Sequence, residues 1–129
     1  MDAVNEKSVI GQLLFQYQEA LNTSSLENVL NLYSPEGGFL ATNAPSAIGM
    51  TRIEDAYRMI FKTIQLKIVF TIELIELSGG LAFATTSSRG TNLIFESGEI
   101  FPEENRELFV FKKETGNWKI FRYMFNKTI

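Results

Sequence analysis

Residues 66–77 (LKIVFTIELIEL), the turn Ser78-Gly79-Gly80 and residues 81–91 (LAFATTSSRGT) carry the reading of the fold. Both runs are rich in β-branched and aromatic side chains, which suit a pleated, half-buried surface, and the glycines between them allow a tight turn. They predict an antiparallel hairpin. Downstream, Glu96-Ser97-Gly98-Glu99 turns the chain again. Pro102 has no N–H to give a strand ladder and marks its neighbourhood as irregular or edge structure, after which residues 106–113 resume a strand. Glu114-Thr115-Gly116-Asn117 closes a last hairpin onto residues 118–125. The second half therefore reads as four long strands in succession.

The first half has the other period. Val9, Ile10, Leu13, Leu14, Tyr17 and Leu21 recur three or four apart, the spacing that lines one face of a helix. Asn22-Thr23-Ser24-Ser25 breaks this helix, and Ser24 with Glu27 forms a capping box for the next, whose inner face is Leu26, Val29, Leu30 and Tyr33. Ser34-Pro35-Glu36-Gly37-Gly38 stops that helix, and residues 39–41 read as a short strand. After a loop through Pro45 and Gly49, Thr51-Arg52-Ile53-Glu54 offers a second capping box for a third helix carrying Ile53, Tyr57, Ile60, Phe61 and Ile64. Helices segregated from strands predict an α+β fold rather than a parallel doubly wound sheet.

The 129 residues, 45% of them hydrophobic and 21% charged, fit a single globular domain, residues 1–129. A net charge of −3, spread along the chain, provides no footprint for a phosphate backbone, so no nucleic-acid partner is expected. No apolar run is long enough for a membrane span, and the opening Met1 to Glu6 lacks the basic start of a signal peptide; a cytoplasmic protein is the expectation. Cysteine and histidine are both absent. That excludes thiolate and Ser-His-Asp chemistry and any imidazole- or sulfur-ligated metal site, so neither a metal nor another cofactor is expected. Chemistry must use Asp, Glu, Tyr, Lys, Arg or the backbone.

Strand alternation puts Phe83, Thr85, Ser87 and Arg89 on one face, taken as the pocket face, against Ala82, Ala84, Thr86 and Ser88. Glu107, Phe109 and Phe111 share a face of the next strand, and Phe121, Tyr123 and Phe125 a face of the last. Leu108 and Val110, with Trp118, Ile120, Arg122 and Met124, make a second apolar face. Helices cover one side of a sheet only, so the other predicts a subunit contact, most simply a homodimer.

Asn31-Leu32-Tyr33 before a turn, Ile48-Gly49 ahead of Thr51 to Tyr57, and Glu107 to Lys113 running into Gly116-Asn117-Trp118-Lys119-Ile120 together resemble SnoaL-like and ketosteroid-isomerase-like proteins of the nuclear transport factor 2-like superfamily. The resemblance covers nearly the whole chain. It implies a cone-shaped α+β barrel, with three N-terminal helices on the concave face of a curved, mainly antiparallel sheet, a conical pocket, and a convex face packed on a partner subunit. Ketosteroid isomerases use a carboxylate base after the first short strand, with a first-helix tyrosine and a later protonated aspartate as oxyanion hole. By this resemblance Tyr17 matches the tyrosine and Glu107 the aspartate, while the base position falls at Ala41 and Thr42, neither of which can take a proton from carbon.

Tyr17 and Glu107 are therefore the candidate catalytic residues. Ligand-binding candidates are Tyr17, Tyr57, Phe83, Thr85, Ser87, Arg89, Glu107, Phe109, Tyr123 and Phe125. Desolvation would keep Glu107 protonated, or Arg89 would pair with it. Glu103-Glu104 after Pro102 reads as solvated loop, and Asp55 as the outer face of a helix. Three readings stay open: a cofactor-independent isomerase, cyclase or hydrolase acting on an apolar carbonyl compound; a non-catalytic ligand-binding or dimerisation module; and a structural domain whose pocket is filled by its own phenylalanines.

Overall fold

A computed structural model describes residues 3–129, in the order α1 (Ala3–Asn22), α2 (Leu26–Leu32), β1 (Tyr33–Leu40), β2 (Ala47–Ile48), α3 (Met50–Thr63), β3 (Ile64–Ser78), β4 (Leu81–Ile94), β5 (Ile100–Glu114) and β6 (Asn117–Lys127). Met1 and Asp2, where the signal-peptide reading and one of the two aspartates fall, lie outside the described residues. The strands form one sheet of order β2-β1-β6-β5-β4-β3. β3 to β6 pair antiparallel in sequence order, and β1 lies parallel to β6. The architecture is α+β as the sequence predicts, but the terminal strands β2 and β3 do not meet, so the sheet is open rather than a closed barrel.

α1 buries Ile10, Leu13, Leu14, Tyr17 and Leu21 against the sheet, while Val9, on the flank of that stripe, is 38% exposed. Neither expected capping box forms. Ser25, not Ser24, caps α2, its Oγ accepting from the Asn28 N–H at 3.3 Å; Ser24 takes a φ of 52° and its hydroxyl is buried without a partner among the described residues. α3 starts two residues early, behind Gly49, whose φ of 93° suits a residue without Cβ. Thr51 is then already inside the helix, and Glu54 pairs with Arg58 one turn on. The Ser34 to Gly38 segment ends α2 yet belongs to β1, where the register against β6 shifts between Tyr33 and Gly38.

Two irregularities bend the long strands. In β3, Ile72 faces Thr86 and Leu74 faces Thr85, leaving Glu73 as the extra residue. In β6, Ile120 faces Phe111 and Arg122 faces Val110, leaving Phe121 extra. A bulge inverts the alternation beyond it. Trp118 and Ile120 consequently join Tyr123 on the helix-covered face, where they are buried, instead of the outer face expected for them. Pro102 sits inside β5, opposite Thr91, and not in an irregular segment. It is tolerated because β6 has run out by that point, its Lys127 pairing with Asn105, so one side of β5 is an edge there.

β3 is the long edge strand, a template on which foreign strands could pair. α1 covers it with amide side chains. Asn22 donates to the Ile68 carbonyl and accepts from the Ile68 N–H, both at 2.8 Å, and Gln18 Oε1 accepts from the Phe70 N–H at 2.9 Å. These bonds fix the height of α1 over the sheet, and with it the position of Tyr17.

Candidate functional site

α1, α3, the 41–47 connection and the helix-covered face of the sheet enclose a cavity of ≈ 740 Å³, lined near the start of β3 and β5 and the end of β4 and β6. Its wall is mainly apolar, with Leu21, Phe39, Ile60, Leu66, Ile68 and Phe125 among the lining residues. Against this apolar background two polar groups of residues stand out.

The first is a chain of phenols. The hydroxyls of Tyr17 and Tyr57 are in hydrogen-bond contact, and that of Tyr57 meets Tyr33 at 2.7 Å. Tyr17 and Tyr57 line the cavity, and Tyr33 stands behind them. Each sits where it does through helical or strand geometry: Tyr17 one turn beyond Leu13 and Leu14 on α1, Tyr57 one turn beyond Ile53 on α3, and Tyr33 at the start of β1. Burial pushes all three phenols well above the usual tyrosine range, so they stay neutral hydrogen-bond donors near neutral pH.

The second is a strip of polar side chains on alternate residues of β5, with partners on β4 and β6. Glu103 accepts from Asn92 Nδ2 at 2.5 Å, from Asn105 Nδ2 at 3.0 Å and from Lys127 Nζ at 2.8 Å. Burial alone would raise its carboxyl, but the bonds from Lys127, Asn105 and Asn92 outweigh that and hold it below the usual carboxylate range. Glu107 accepts from Thr86 Oγ1 at 2.6 Å and from Ser88 Oγ at 2.5 Å. Here burial prevails over those hydroxyls, and the charges of Glu73 and Glu103 add to it, so its carboxyl is pushed up. One acid is thus held ionised beside the cavity and the other is biased toward its neutral form beneath it.

The sequence-predicted residues separate into three groups. Tyr17, Tyr57, Tyr123 and Phe125 line the cavity. Phe109 and Glu107 lie on the same face of the sheet but behind the lining: Phe109 stacks under Tyr123 at 4.2 Å between ring centroids, and the Glu107 carboxylate is covered by Ser88 and Thr86. Phe83, Thr85, Ser87 and Arg89 are on the opposite, outer face, which corrects the pocket-face choice for β4. The reason is steric. Ala82 and Ala84 face the rings of Phe111 and Phe109 across the strand pair, and only small side chains fit beneath those rings. Arg89 does not reach Glu107; it lies 3.5 Å from Glu104 on the outer face, 76% exposed.

Asn105, Asn92 and Lys127, which the sequence reading passed over, belong to the cavity, and so does Glu103, which it placed in a solvated loop. Glu103 is buried, not in a solvated loop. The signal was present as an uninterrupted two-residue alternation, Glu103, Asn105, Glu107, Phe109, Phe111, that continues backward almost to Pro102. Asp55 and Arg52 also line the cavity, at exposed positions of α3, so Asp55 is not on an outer face remote from it. Asp55 is the lining carboxylate with no protein hydrogen bond or ion pair among the described residues. Among those residues no three His, Cys, Asp or Glu side chains are placed to hold a metal ion, and no helix is long and apolar enough to cross a membrane.

The model of the SnoaL-like domain family matches residues 10–125. No curated protein sequence matches the chain. Among solved structures, a ketosteroid isomerase-like protein from Erwinia carotovora atroseptica superimposes with a TM-score of 0.90 at 25% identity, over 95% of each chain. A nuclear transport factor 2-like superfamily protein from Salmonella enterica serovar Typhimurium gives 0.88 at 18% identity, over 99% of this chain and 94% of its own. The second likeness is one of fold.

Proposed function

Because this chain belongs to the SnoaL-like domain family, we propose that it binds an apolar, carbonyl-bearing small molecule in the cavity and polarises the carbonyl oxygen through Tyr17. The observation that carries this reading is the Tyr33–Tyr57–Tyr17 hydroxyl chain at the wall of an otherwise apolar cavity. Three hydroxyls joined by two hydrogen bonds leave one O–H over. When Tyr33 donates to Tyr57 and Tyr57 to Tyr17, that proton is on Tyr17 and directed to the ligand. Each bond in such a chain polarises the next, and the desolvated wall strengthens all of them. A donor preorganised toward a developing oxyanion is what a cofactor-independent isomerase, cyclase or hydrolase requires. Neither Ala41 nor Thr42 supplies a base, Glu107 is covered, and Glu103 is tied to Lys127. Asp55 at an exposed position of the lining is therefore the proton acceptor this reading assigns.

Calorimetry with small cyclic and aryl ketones tests the binding step. Tyr17→Phe, which keeps the ring and removes the donor, is expected to weaken ketone binding about tenfold and, where turnover is found, to lower it about 10²–10³-fold. Equal affinity of both proteins for every ketone would remove Tyr17 from the site.

A specific feature of the outer face supports a second property, self-association. Leu74, Thr85, Leu108, Met124 and Leu40 are successive cross-strand partners, and Phe83 adjoins them. Leu74, Leu108 and Met124 are each more than two-fifths exposed. A contiguous apolar row of this kind is suited to a two-fold contact. Light scattering is expected to report a dimer that Met124→Glu dissociates, with the melting temperature of the monomer little changed. Trp118 is unsuitable for this test because it is buried on the other face. A monomeric wild-type protein at high concentration would end this assignment.

A further inference from the structure

The exposed members of the cavity lining mark where it opens to solvent. Ala44, Pro45 and Ser46 form one rim, and Arg52, Asp55 and Met59 on α3 form another. With the mouth open, Asp55 and any ligand beside it stand in contact with bulk water, which weakens every electrostatic contact between them.

The first rim is held at its two ends and free between them. At one end the Thr42 hydroxyl donates to the Phe125 carbonyl at 2.9 Å. At the other, Ala47 and Ile48 pair with Phe39 and Gly38, and the Gly49 N–H donates to the Gly37 carbonyl at 2.8 Å. Between these anchors residues 43–46 are all exposed, and among the described residues no backbone hydrogen bond joins them to a helix or strand. A segment with so few buried contacts moves at little cost in free energy. Its flanks have torsions suited to hinges: Asn43 takes a φ of 56°, a left-handed value that asparagine tolerates, and Gly49 takes 93°. Pro45 fixes its own φ, so the piece between the hinges is stiff and swings as a unit.

The two rims carry complementary groups. On the first are the Asn43 amide and the Ser46 hydroxyl, both able to accept; on α3 is the Arg52 guanidinium, which has five N–H donors. None of these three side chains has a hydrogen-bond or ion-pair partner among the described residues. Unused acceptors on one side of the mouth therefore match unused donors on the other.

We propose that residues 43–46 are a strap that swings across the mouth when a ligand enters and is latched there by Arg52, closing the cavity over Tyr17, Asp55 and the ligand. This deepens the proposed function and rests on it, because the closure regulates that same site. Expelling water strengthens the hydrogen bond from Tyr17 to the carbonyl oxygen and the contacts of Asp55, and the ligand stays until the strap reopens. Arg52 is a positioning residue, acting through the strap.

The test is amide hydrogen exchange, read by NMR, on the free protein and on the protein saturated with 1-tetralone or with the small ketone that binds best in calorimetry. In the free protein the Asn43, Ala44 and Ser46 amides are expected to exchange within about tenfold of an unstructured chain, and the anchored Gly49 amide about a hundredfold more slowly. With the ketone bound, the three strap amides are expected to slow about tenfold or more. In Arg52→Leu that slowing is expected to fall below about threefold, and the ketone to dissociate about tenfold faster. A ketone that merely covers the strap by contact would slow both proteins alike. Three results overturn the proposal: strap amides as slow as Gly49 in the free protein, a bound ketone that leaves them unchanged, or undiminished slowing in Arg52→Leu. The wild-type comparison alone suffices should the variant not fold. Ketone binding with unchanged strap exchange removes the strap and leaves the cavity reading standing, whereas binding of no small ketone removes both.

Discussion

Phe109→Ala is expected to lower the free energy of unfolding by about 3–5 kcal/mol, a large part of the roughly 5–15 kcal/mol that stabilises a typical domain. The ring is fully buried at the centre of the sheet. It stacks on Tyr123 at 4.2 Å and on Phe111 at 5.8 Å, and it meets Tyr17 edge to face at 5.8 Å. Its cross-strand neighbour on β4 is Ala84, which has no atoms to move into the space left behind. The cavity term should therefore add in full to the lost transfer energy. Urea unfolding checks this as a lowered midpoint at unchanged slope. Phe109→Leu, which refills most of the volume, is expected to lose less than half as much. A cost below about 1 kcal/mol for the alanine variant would show that the aromatic stack contributes little to stability. The functional consequence follows from the contact with Tyr17. Without Phe109 beneath it the phenol loses one wall, so ketone affinity should fall even where the variant remains folded.

Gly90→Ala is the second large effect, with an expected loss of about 3 kcal/mol or more. The residue pairs with Ile68 on β3 and Glu103 on β5. A Cβ there would stand 1.9 Å from the Lys67 carbonyl oxygen and 2.8 Å from the Ile68 Cα. Both are backbone atoms of the adjacent strand, so no side-chain rotation relieves the clash and β3 must move away from β4. Ile68 is also the residue whose backbone groups Asn22 holds, so the displacement passes to α1 and Tyr17. Amide hydrogen exchange should show lost protection concentrated in the first half of β3. Wild-type stability in Gly90→Ala would mean that the two strands are not in contact at this point.

Much of the fold could be read directly. The 3.6-residue spacing of Ile10, Leu13, Leu14, Tyr17 and Leu21, and the tight turns at Gly79-Gly80 and Thr115-Gly116, correspond to α1 and to the two hairpins. The site was read less completely. Tyr17, Tyr57, Tyr123 and Phe125 line the cavity, but the β4 residues chosen for it lie outside, Glu103 was read as solvated loop, and Asn105 was passed over. Alternation identifies two faces of a strand without saying which is inward, and Phe83 is bulkier than either Ala82 or Ala84. The decision rests on Phe109 and Phe111 across the ladder, which occupy the space a large β4 side chain would need.

What the sequence determined by itself is local: element type and order, the positions of the turns, and the absence of imidazole and thiol, which removes whole classes of chemistry. These depend on backbone torsions, on periodicity within a few residues, and on which functional groups exist at all. Tertiary structure alone decided how faces are assigned and how polar groups are satisfied. The extra residue at Phe121 turned Trp118 and Ile120 inward, and the end of β6 at Lys127 gave Glu103 its cation. The meeting of α1, α3 and β1 joined three tyrosines 16 to 40 positions apart into one hydroxyl chain. Such outcomes depend on register and on partners distant in sequence, and no local pattern encodes either one.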